Sequence, residues 1–324
     1  MRLTYRMFED DDFPGLQRLW EDATGWGGLT AEVWRRHTVG APLGGAACAV
    51  AQEPKSGKIV GQFAFIPSLV SVDGTVVRAF RPAAPIVGKE ARWAGLNPLR
   101  HPIAMMYATA VRALRDRGDG LIYMLPDPRW LRFFRMFPRL VCGSFPLWRM
   151  PLPLAAPLPL PAGYTAAPLA ELDGRIDALW EAAARLHGCS VVRNAEALAW
   201  KTGDAAYDVI GVERGGELVA VVTSRHKGDR QWLVCDVLFA DPGEPLRAAL
   251  AAACNLADER ARAAPPEKPI AKAAALVTPA MEPAARALGM ERDRYDFPLV
   301  IDVLAPSISR EQVAPARWYV SAND

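Results

Sequence analysis

The 324-residue sequence lacks long apolar runs and metal-binding cysteine patterns. No stretch approaches the roughly 18–20 uninterrupted apolar residues that a membrane-spanning helix needs, and the first residues lack the basic start and apolar run of a signal peptide. The four histidines and five cysteines form no CxxC pair and no His/Cys cluster, which argues against a structural zinc site. Scattered cysteines in apolar segments indicate buried thiols in a reducing compartment. These absences predict a cytoplasmic protein with neither a metal nor a membrane partner.

Several common catalytic and binding motifs are also missing. The sequence contains no GxSxG nucleophile elbow, no Walker phosphate loop and no GxGxxG dinucleotide fingerprint. Its basic residues are not interleaved with aromatic residues in the manner of a nucleic-acid-binding module. We therefore expect neither a nucleotide cofactor held by these motifs nor a nucleic-acid partner.

The composition is that of a globular protein, with 51% hydrophobic and 23% charged residues. The net charge is only +2, but it is distributed unevenly. Residues 1–150 contain 20 basic and 13 acidic residues (+7), whereas residues 151–324 contain 18 basic and 23 acidic residues (−5). The first half is therefore the better candidate to bind an anionic ligand, although arginine-rich surfaces are common in any protein.

A proline-rich segment, MPLPLAAPLPLPAGY, separates the two halves. Its five prolines at nearly alternating positions favour an extended, semi-rigid connector. We predict an N-terminal domain over 1–150, a linker over 151–163, a C-terminal domain over 164–305 and a tail over 306–324.

The two halves follow a similar plan. Each begins with a helical segment that ends in Leu-Trp, at Trp20 and Trp180, and continues with a shorter helix that contains Trp34 or Trp200. Each then has two strand-like segments joined by a turn, Ser-Gly in the first half and Gly-Gly in the second. The predicted order in each half is β-α-α-β-β-β-α-β-α-β, which favours a duplicated fold with mixed sheets and helices on both faces.

This order of elements resembles the GNAT superfamily of acyl-CoA-dependent acyltransferases, and more closely the tandem GNAT proteins, in which two such folds share one chain. Short matches such as VVRNAEALAW, ARALGMERD and RWYVSAND add to the resemblance, which covers about residues 3–305. It implies an α/β (α+β) fold class with two domains, each a mixed, mostly antiparallel sheet flanked by helices. The central strand of the first copy would be Ala79–Gly88, where Pro82 and Pro85 suit a strand that separates from its neighbour.

The resemblance also implies a donor site. The exposed backbone of the central strand, at Ile86, Val87 and Gly88, would hold the pantetheine arm. The phosphate-binding loop of the family would fall on residues 98–103, so that the contacts there would be Leu99, Arg100, His101 and Ile103.

This loop departs from the family pattern, because both expected glycines are missing and Pro102 has no N–H to give an anion. What remains is basic charge, from Lys89, Arg92, Arg100 and His101, with Gly95 upstream to give the loop flexibility. In the second half, Asp241 and Glu244 stand at the matching helix start, where their charges would repel a phosphate. The second half is therefore predicted to be a scaffold or substrate domain.

The catalytic candidates are Glu90, which follows the central strand and could act as base, and Asp127, which closes the next strand and could bind an amine. The structural alternatives are a surface ion pair with Lys89 or Arg92 for Glu90 and a helix N-cap before Pro128 for Asp127. The tyrosine that many relatives use as proton donor corresponds to Phe134.

Other reactive side chains are better explained by packing. Tyr107 and Tyr123 are expected to be packing residues, and Cys142 has no histidine in a partner position. His187 is expected to cap a helix end before Gly188.

Three functions are compatible with these patterns. The first is an N-acyltransferase that uses acyl-CoA or an acyl-phosphopantetheine on an acyl carrier protein, whose acidic surface would suit the +7 half, and that acts on a small-molecule amine. The second is a catalytically inactive tandem GNAT fold that binds a metabolite or a protein. The third is an aminoacyl-tRNA-dependent transferase, which the modest net charge disfavours.

Overall fold

The structure is a computed structural model that describes residues 2–25, 28–38, 43, 45–92, 98–135, 137–203, 206–228 and 230–324. The α-helices are α1 (Phe13–Ala23), α2 (Ala31–Thr38), α3 (Pro102–Asp116), α4 (Leu131–Phe134), α5 (Gly174–Ala183), α6 (Ala195–Thr202), α7 (Glu244–Ala263) and α8 (Glu282–Ala287). Short 3₁₀ helices cover Asp10–Asp12, Pro98–Arg100, Pro128–Trp130 and Pro315–Arg317.

The strands are β1 (Thr4–Met7), β2 (Ala47–Gln52), β3 (Ile59–Val72), β4 (Thr75–Val87), β5 (Leu121–Met124), β6 (Val141–Pro151), β7 (Tyr164–Pro168), β8 (Cys189–Val191), β9 (Asp208–Arg214), β10 (Glu217–His226), β11 (Gln231–Phe239), β12 (Lys272–Leu276), β13 (Glu291–Val303) and β14 (Trp318–Tyr319). Mixed sheets flanked by helices confirm the predicted fold class. The four helices that carry the paired tryptophans, α1, α2, α5 and α6, are also present as predicted.

The chain forms two compact units. Unit 1 consists of Met1–Leu69, Val77–Met124 and Ile301–Ser309, and unit 2 consists of Val70–Val76, Leu125–Val300 and Arg310–Asp324. This division differs from the predicted boundaries at residues 150, 163 and 305, because β6 and the proline-rich segment pack within unit 2. Whether the predicted ranges act as separate domains stays a prediction.

In unit 1 the strands lie in the order β1-β2-β3-β4-β5. β2 is antiparallel to both β1 and β3, whereas β4 and β5 are parallel. Alternation along β2 sends Val50 to the face covered by α1 and Ala51 to the opposite face, where Met106 of α3 approaches Gly61. Helices therefore cover both faces of this sheet.

Helix α3 has the features predicted for it. Its apolar stripe is buried through Met106, Ala110, Val111 and Leu114. Gly118 follows the helix with a φ of 80°, and the N–H of Asp119 donates to the carbonyl of Leu114 at 3.1 Å. This is the left-handed C-terminal cap that a glycine makes readily.

In unit 2 the strand order is β13-β6-β12-β11-β10-β9-β7. The β9–β10 hairpin turns at Gly215 and Gly216, whose φ angles of 59° and 85° suit the predicted Gly-Gly turn. The alanine-rich helix α7 packs into the main core of this unit. Strand β8, which the sequence patterns did not predict, pairs with β14 and with the end of β3 at Val70–Val72.

The proline-rich segment is bound to α7 and is not a free connector. The N–H of Leu154 donates to Asp258 Oδ1, and the N–H of Leu158 donates to Asn255 Oδ1, both at 2.8 Å. Arg262 Nη2 donates to the carbonyl of Leu154 at 2.8 Å. Side chains of α7 therefore satisfy backbone groups that the extended segment cannot pair in a sheet.

Residues 306–324 are likewise not a loose tail. Trp318, Tyr319 and Val320 are at most 3% exposed, and β14 pairs in parallel with β8. The sequence patterns assigned the apolar residues of the predicted tail to no element, so this burial adds a feature that they did not indicate.

Candidate functional site

The strands β4 and β5 separate soon after they meet. Their parallel pairing consists of Ala79 with Leu121 and Phe80 with Ile122. Beyond this point β4 continues through residues 81–87, whereas β5 ends at Met124. Pro82 and Pro85 have no N–H to donate to a ladder, so this part of β4 is poorly suited to pairing on both sides. We call the part of β4 and β5 beyond Phe80 and Ile122, where the two strands are no longer paired with each other, the strand gap.

A strained residue marks the bend of β4 beside the strand gap. Ala84 has a φ of 45°, in the left-handed region that residues other than glycine seldom adopt. Its carbonyl accepts a hydrogen bond from Gln62 Nε2 at 3.4 Å, and the fully buried Gln62 accepts one from Trp20 Nε1 at 2.9 Å. A hydrogen-bonded chain from α1 through β3 therefore supports the conformation of β4.

The residues predicted to hold a pantetheine arm lie at the end of β4. Ile86, Val87 and Gly88 are buried, and the N–H of Gly88 donates to the carbonyl of Val60 on β3 at 2.8 Å. Because successive strand residues direct their peptide groups to alternate sides, those of Val87 face away from β3. The carbonyl of Val87 accepts a hydrogen bond from Arg92 Nε at 3.1 Å. Arg92, predicted as a positive charge and as a possible partner of Glu90, thus contacts the backbone at this position.

The predicted phosphate-binding loop ends in a capped helix. Helix α3 begins at Pro102, and His101 Nδ1 accepts a hydrogen bond from the N–H of Ile103 at 3.3 Å. This amide is therefore already bonded, and Pro102 offers none. Leu99 is 56% exposed and Arg100 is exposed, so both side chains are accessible to a ligand.

Gly95, which was expected to give this loop flexibility, lies outside the described residues. The assignment of the loop residues to a donor site stays a prediction. A histidine placed directly before a proline at the first helical position was the sequence signal for the cap.

Glu90 forms an ion pair with Lys58, at 2.7 Å between Nζ and Oε1. The hydrogen bond from Lys58 lowers the pKa of Glu90, so its carboxylate is ionised at neutral pH but is a weak base. The sequence-based alternatives for its partner were Lys89 and Arg92. The observed partner lies 32 residues away in sequence and could not be found from local spacing.

Glu90 also lines a cavity of about 390 Å³ in unit 1. The cavity lies between α1, the start of β3 and the segment that follows β4. Its floor includes Leu19 and Ile59, each 5% exposed. Added to Gly15, a Cβ would lie 2.9 Å from Ile59 Cγ1, so glycine at this position permits the close approach of α1 to β3.

Asp127 is the helix N-cap before Pro128, which is the structural alternative predicted for it. Its Oδ1 accepts a hydrogen bond from the N–H of Arg129 at 2.9 Å, as an N-cap before Pro128. Both carboxylate oxygens also pair with the Arg129 guanidinium, at 2.9 Å each. The hydrogen bonds from Arg129 lower the pKa of Asp127 to about 2. Asp127 belongs to unit 2, whereas Glu90 belongs to unit 1.

The two tyrosines considered above are packed as predicted. The hydroxyl of Tyr107 donates to Asp302 Oδ2 at 3.0 Å, and its ring contacts Phe63 and Phe65. The hydroxyl of Tyr123 donates to Ser68 at 3.1 Å. Phe134, at the position of the expected proton donor, is the last residue of α4.

Unit 2 has a comparable separation between β11 and β12. Their parallel pairing ends at Val234 with Ala275, while β11 continues to Phe239. The hydroxyl of Tyr319 donates to the carbonyl of Val237, so this side chain contacts the part of β11 that β12 does not pair. At the start of α7, Asp241 Oδ1 accepts from the N–H of Gly243 at 2.7 Å and Glu244 is the first helical residue. Both carboxylates therefore lie where they were predicted.

A buried ionic cluster, which sequence patterns did not reveal, lies in unit 2. Arg193 is 1% exposed and donates from Nε to both oxygens of Asp236, at 2.9 and 3.0 Å, and from Nη2 to Asp324. Lys201 Nζ lies 2.7 Å from Asp324 Oδ1. The Arg193 guanidinium also lies 4.5 Å from the ring centre of Tyr319.

Burial and charge act in opposite directions on the pKa values of this cluster. Burial would raise the pKa of Asp324, but the charges of Arg193 and Lys201 lower it below its usual value. Burial lowers the pKa of His187 to about 4, with a further contribution from the charge of Arg193. His187 does not cap α5, which ends at Ala183, but stacks on Tyr319 with ring centres 4.7 Å apart.

The cysteines are free thiols, and Cys142 is the half-buried one among them. Burial raises the pKa of Cys142, so it has little thiolate at neutral pH. Within the described part of the chain, no group of three or more His, Cys, Asp and Glu side chains could hold a metal ion. The same residues include no helix long and apolar enough to cross a membrane.

Comparison with solved structures shows a GNAT-like fold. A GCN5-related N-acetyltransferase from Anabaena variabilis ATCC 29413 has a TM-score of 0.67 and 14% sequence identity, covering 94% of this chain and 73% of that one. A conserved protein from Enterococcus faecalis V583, described as a probable N-acyltransferase, has a TM-score of 0.62, 13% identity and coverage of 94% and 73%.

A GCN5-related N-acetyltransferase from Kribbella flavida gives a TM-score of 0.62 at 14% identity, with coverage of 94% and 72%. At these identities the likeness concerns the fold alone. No protein-family model and no curated protein matches the sequence.

Proposed function

We propose that the protein is an N-acyltransferase that takes its acyl group from a pantetheine thioester and transfers it to a small-molecule amine. The observation that carries this proposal is the strand gap between β4 and β5 in a GNAT-like fold. We also propose that the chain is a tandem of two GNAT-like folds. The similar order of elements around β2–β6 and β9–β13 supports this.

The strand gap suits an extended ligand that contains amide groups. A pantetheine arm has two amides, and such a ligand can pair with a strand edge in the way that an added strand does. Beyond Phe80 and Ile122, β4 presents peptide groups on the side away from β3 that are not paired with β5. The arm would lie along Ile86, Val87 and Gly88, where Arg92 contacts the carbonyl of Val87. Arg92 would then have to move or to share this carbonyl with the ligand.

Acyl transfer from a thioester requires one new bond and one proton acceptor. The amine nitrogen bonds to the thioester carbonyl carbon, the C–S bond breaks with its electron pair leaving on sulfur, and the amine loses a proton. We assign the proton acceptor to Glu90, directly or through a water, because its carboxylate is ionised and follows β4. Asp127 is the weaker candidate, because both of its oxygens are engaged by Arg129. The thiolate would be protonated by solvent, since Phe134 has no proton to give.

The donor would be a longer or carrier-borne acyl-phosphopantetheine in preference to acetyl-CoA. At the α3 start, Pro102 has no N–H and the amide of Ile103 is bonded to His101, which leaves fewer groups for a pyrophosphate. Arg100 and Lys89 are exposed cations that could contact a single phosphate. An acyl carrier protein with an acidic surface would match the +7 charge of residues 1–150.

A second candidate function is a binding protein that has lost catalysis. The bonded amide of Ile103, the ion-paired Glu90 and the absence of a tyrosine at Phe134 all favour it. Such a protein would bind a pantetheine thioester without transferring its acyl group.

The test combines calorimetry with a thiol-release assay on the full chain. We expect acetyl-pantetheine and longer acyl-pantetheines to bind, and a panel of amines to accelerate thiol release. Glu90→Gln should lower that rate by roughly 10²-fold, a typical contribution of a general base, while changing donor affinity less than about twofold. Glu32→Gln, an exposed carboxylate on α2, is the matched control and should have no effect.

Failure to bind any pantetheine thioester would overturn the proposal. Binding without amine-dependent thiol release would instead support the binding protein.

A further inference from the structure

We infer that the cavity between α1 and the ends of β3 and β4 binds a small amino carboxylate, with amino dicarboxylates preferred over neutral and basic amino acids. The ligand's role as the acyl acceptor rests on the proposed function. Its binding does not.

The cavity has the size of a small-ligand site. Its volume of about 390 Å³ falls at the small end of the range for ligand pockets, roughly 300–1,000 Å³. Leu19 and Ile59 give it a closed apolar floor. Such a space suits a ligand of amino-acid size with a short aliphatic chain.

Gly15 shapes the wall of the cavity that α1 provides. It allows α1 to approach β3 closely, since an added Cβ would lie 2.9 Å from Ile59 Cγ1. Ile59 is buried, so this side of the cavity is formed by close packing of α1 on β3.

The side chains that line the cavity carry charges of both signs. Five charged side chains face the cavity, three basic and two acidic: Arg18, Lys58, Lys89, Asp22 and Glu90. Lys58 and Glu90 form an ion pair with each other. The other three charged side chains, Arg18, Lys89 and Asp22, provide two positive charges and one negative charge. A ligand with one ammonium group and two carboxylates has the opposite charges and could pair with all three.

This pairing of charges determines the expected order of ligands. An amino dicarboxylate such as L-glutamate can pair its ammonium with Asp22 and its carboxylates with Arg18 and Lys89. L-Glutamine lacks one carboxylate, and L-lysine adds a charge that the two cations would repel. Because the charged lining side chains are exposed, these preferences should weaken as salt is added.

The position of Glu90 connects this site to the proposed chemistry. Glu90 belongs to the cavity lining and follows β4, the strand that borders the strand gap. An ammonium group held near Asp22 and Glu90 would be placed beside the residue that we assign as proton acceptor. The amino dicarboxylate would then be the acceptor of the acyl group.

The experiment is isothermal titration of the full chain with L-glutamate, L-glutamine and L-lysine at low salt, without any thioester. We expect L-glutamate to bind best. The variants Arg18→Gln and Lys89→Gln should each weaken its affinity by roughly twofold to fivefold, the upper part of the range for an exposed ion pair, and together should remove the preference over L-glutamine. Arg112→Gln on α3, an exposed arginine outside the cavity, is the matched control and should change affinity less than twofold.

Equal affinities for the three amino acids, no binding of any of them, or an equal effect of Arg112→Gln would overturn the inference. These outcomes can be separated from those that test the proposed function. L-Glutamate binding without pantetheine binding would leave the inference standing and refute the acyltransferase. Thioester-dependent acylation of other amines without L-glutamate binding would support the acyltransferase and refute the inference about the cavity.

Discussion

The ionic cluster around Arg193 gives the strongest stability prediction. Replacing Arg193 with Met keeps much of the side-chain volume but leaves the carboxylates of Asp236 and Asp324 buried without their shared partner. Arg193 is 1% exposed, and the side chains of these two partners are 4% and 0% exposed, so water cannot replace the guanidinium. Breaking a buried pair by removing one partner typically costs about 3–5 kcal/mol. We expect Arg193→Met to lose stability in this range.

The measurement is urea unfolding followed by both tryptophan fluorescence and far-UV circular dichroism. The matched control is Arg292→Met, because Arg292 pairs with Asp296 on the surface, with 59% and 39% of the two side chains exposed. That change should cost less than about 0.5 kcal/mol. The triple variant Arg193→Met, Asp236→Asn, Asp324→Asn should recover part of the loss, since it removes the unpaired charges.

A cost of Arg193→Met below about 1 kcal/mol would refute the account of this cluster. So would a triple variant less stable than Arg193→Met alone, because the penalty would then not come from unpaired carboxylates.

Three further predictions concern pH, backbone strain and thiol reactivity. His187 has a folded-state pKa of about 4, against an ordinary value of 6.5. Its contribution to the free energy of unfolding is therefore fully present above pH 6.5 and is lost as the pH falls towards 4, by at most roughly 3 kcal/mol. Urea unfolding at pH 7 and 4.5 should show a smaller difference in the free energy of unfolding between the two pH values for His187→Phe than for the parent protein. An equal difference in both proteins would contradict a lowered pKa of His187. Ala84→Gly should stabilise the protein by up to about 1 kcal/mol, because glycine adopts a positive φ without strain, whereas Ala83→Gly should destabilise it. A lower melting temperature for Ala84→Gly than for Ala83→Gly would refute the strain at Ala84. A thiol reagent should modify Cys142 first in the native protein and should reach the buried Cys48 only after unfolding. Burial raises the pKa of Cys48 to about 12, which further lowers its reactivity. Mass spectrometry that finds Cys48 modified first would disprove this order.

Local features of the fold could be predicted from the sequence because they depend on neighbouring residues. The apolar stripe of α3, the cap at Gly118 and the Gly215-Gly216 hairpin follow from helical period and from turns that need a positive φ. The N-cap role of Asp127 before Pro128 was also predictable, since it needs only three consecutive residues.

Features that depend on distant residues could not be predicted. Arg193 and Asp324 are separated by 131 residues, and Lys58 and Glu90 by 32, so no local spacing indicates their contacts. The same reason explains why strand β8 and the burial of residues 306–324 were missed. Two-residue pairings such as that of β14 with β8 have no periodicity of their own.

The candidate site was only partly predictable. The prolines of β4 indicated a strand that loses its partner, and the pairing of β4 with β5 does end at Phe80. The strain at Ala84 and its support by Gln62 depend on packing between α1, β3 and β4, which the sequence does not display. His101 caps the start of α3 only in a side-chain rotamer that brings its Nδ1 to the N–H of Ile103. The sequence does not specify this rotamer.

The central claim is that the strand gap holds a pantetheine thioester. Hydrogen–deuterium exchange on the full chain, with and without saturating butyryl-pantetheine, reports on this claim amide by amide. The account predicts slower exchange in peptides that cover residues 81–88 of β4, with little change in those that cover β11. Unchanged exchange over residues 81–88 in the presence of a bound thioester, or protection confined to residues 235–239, would contradict it.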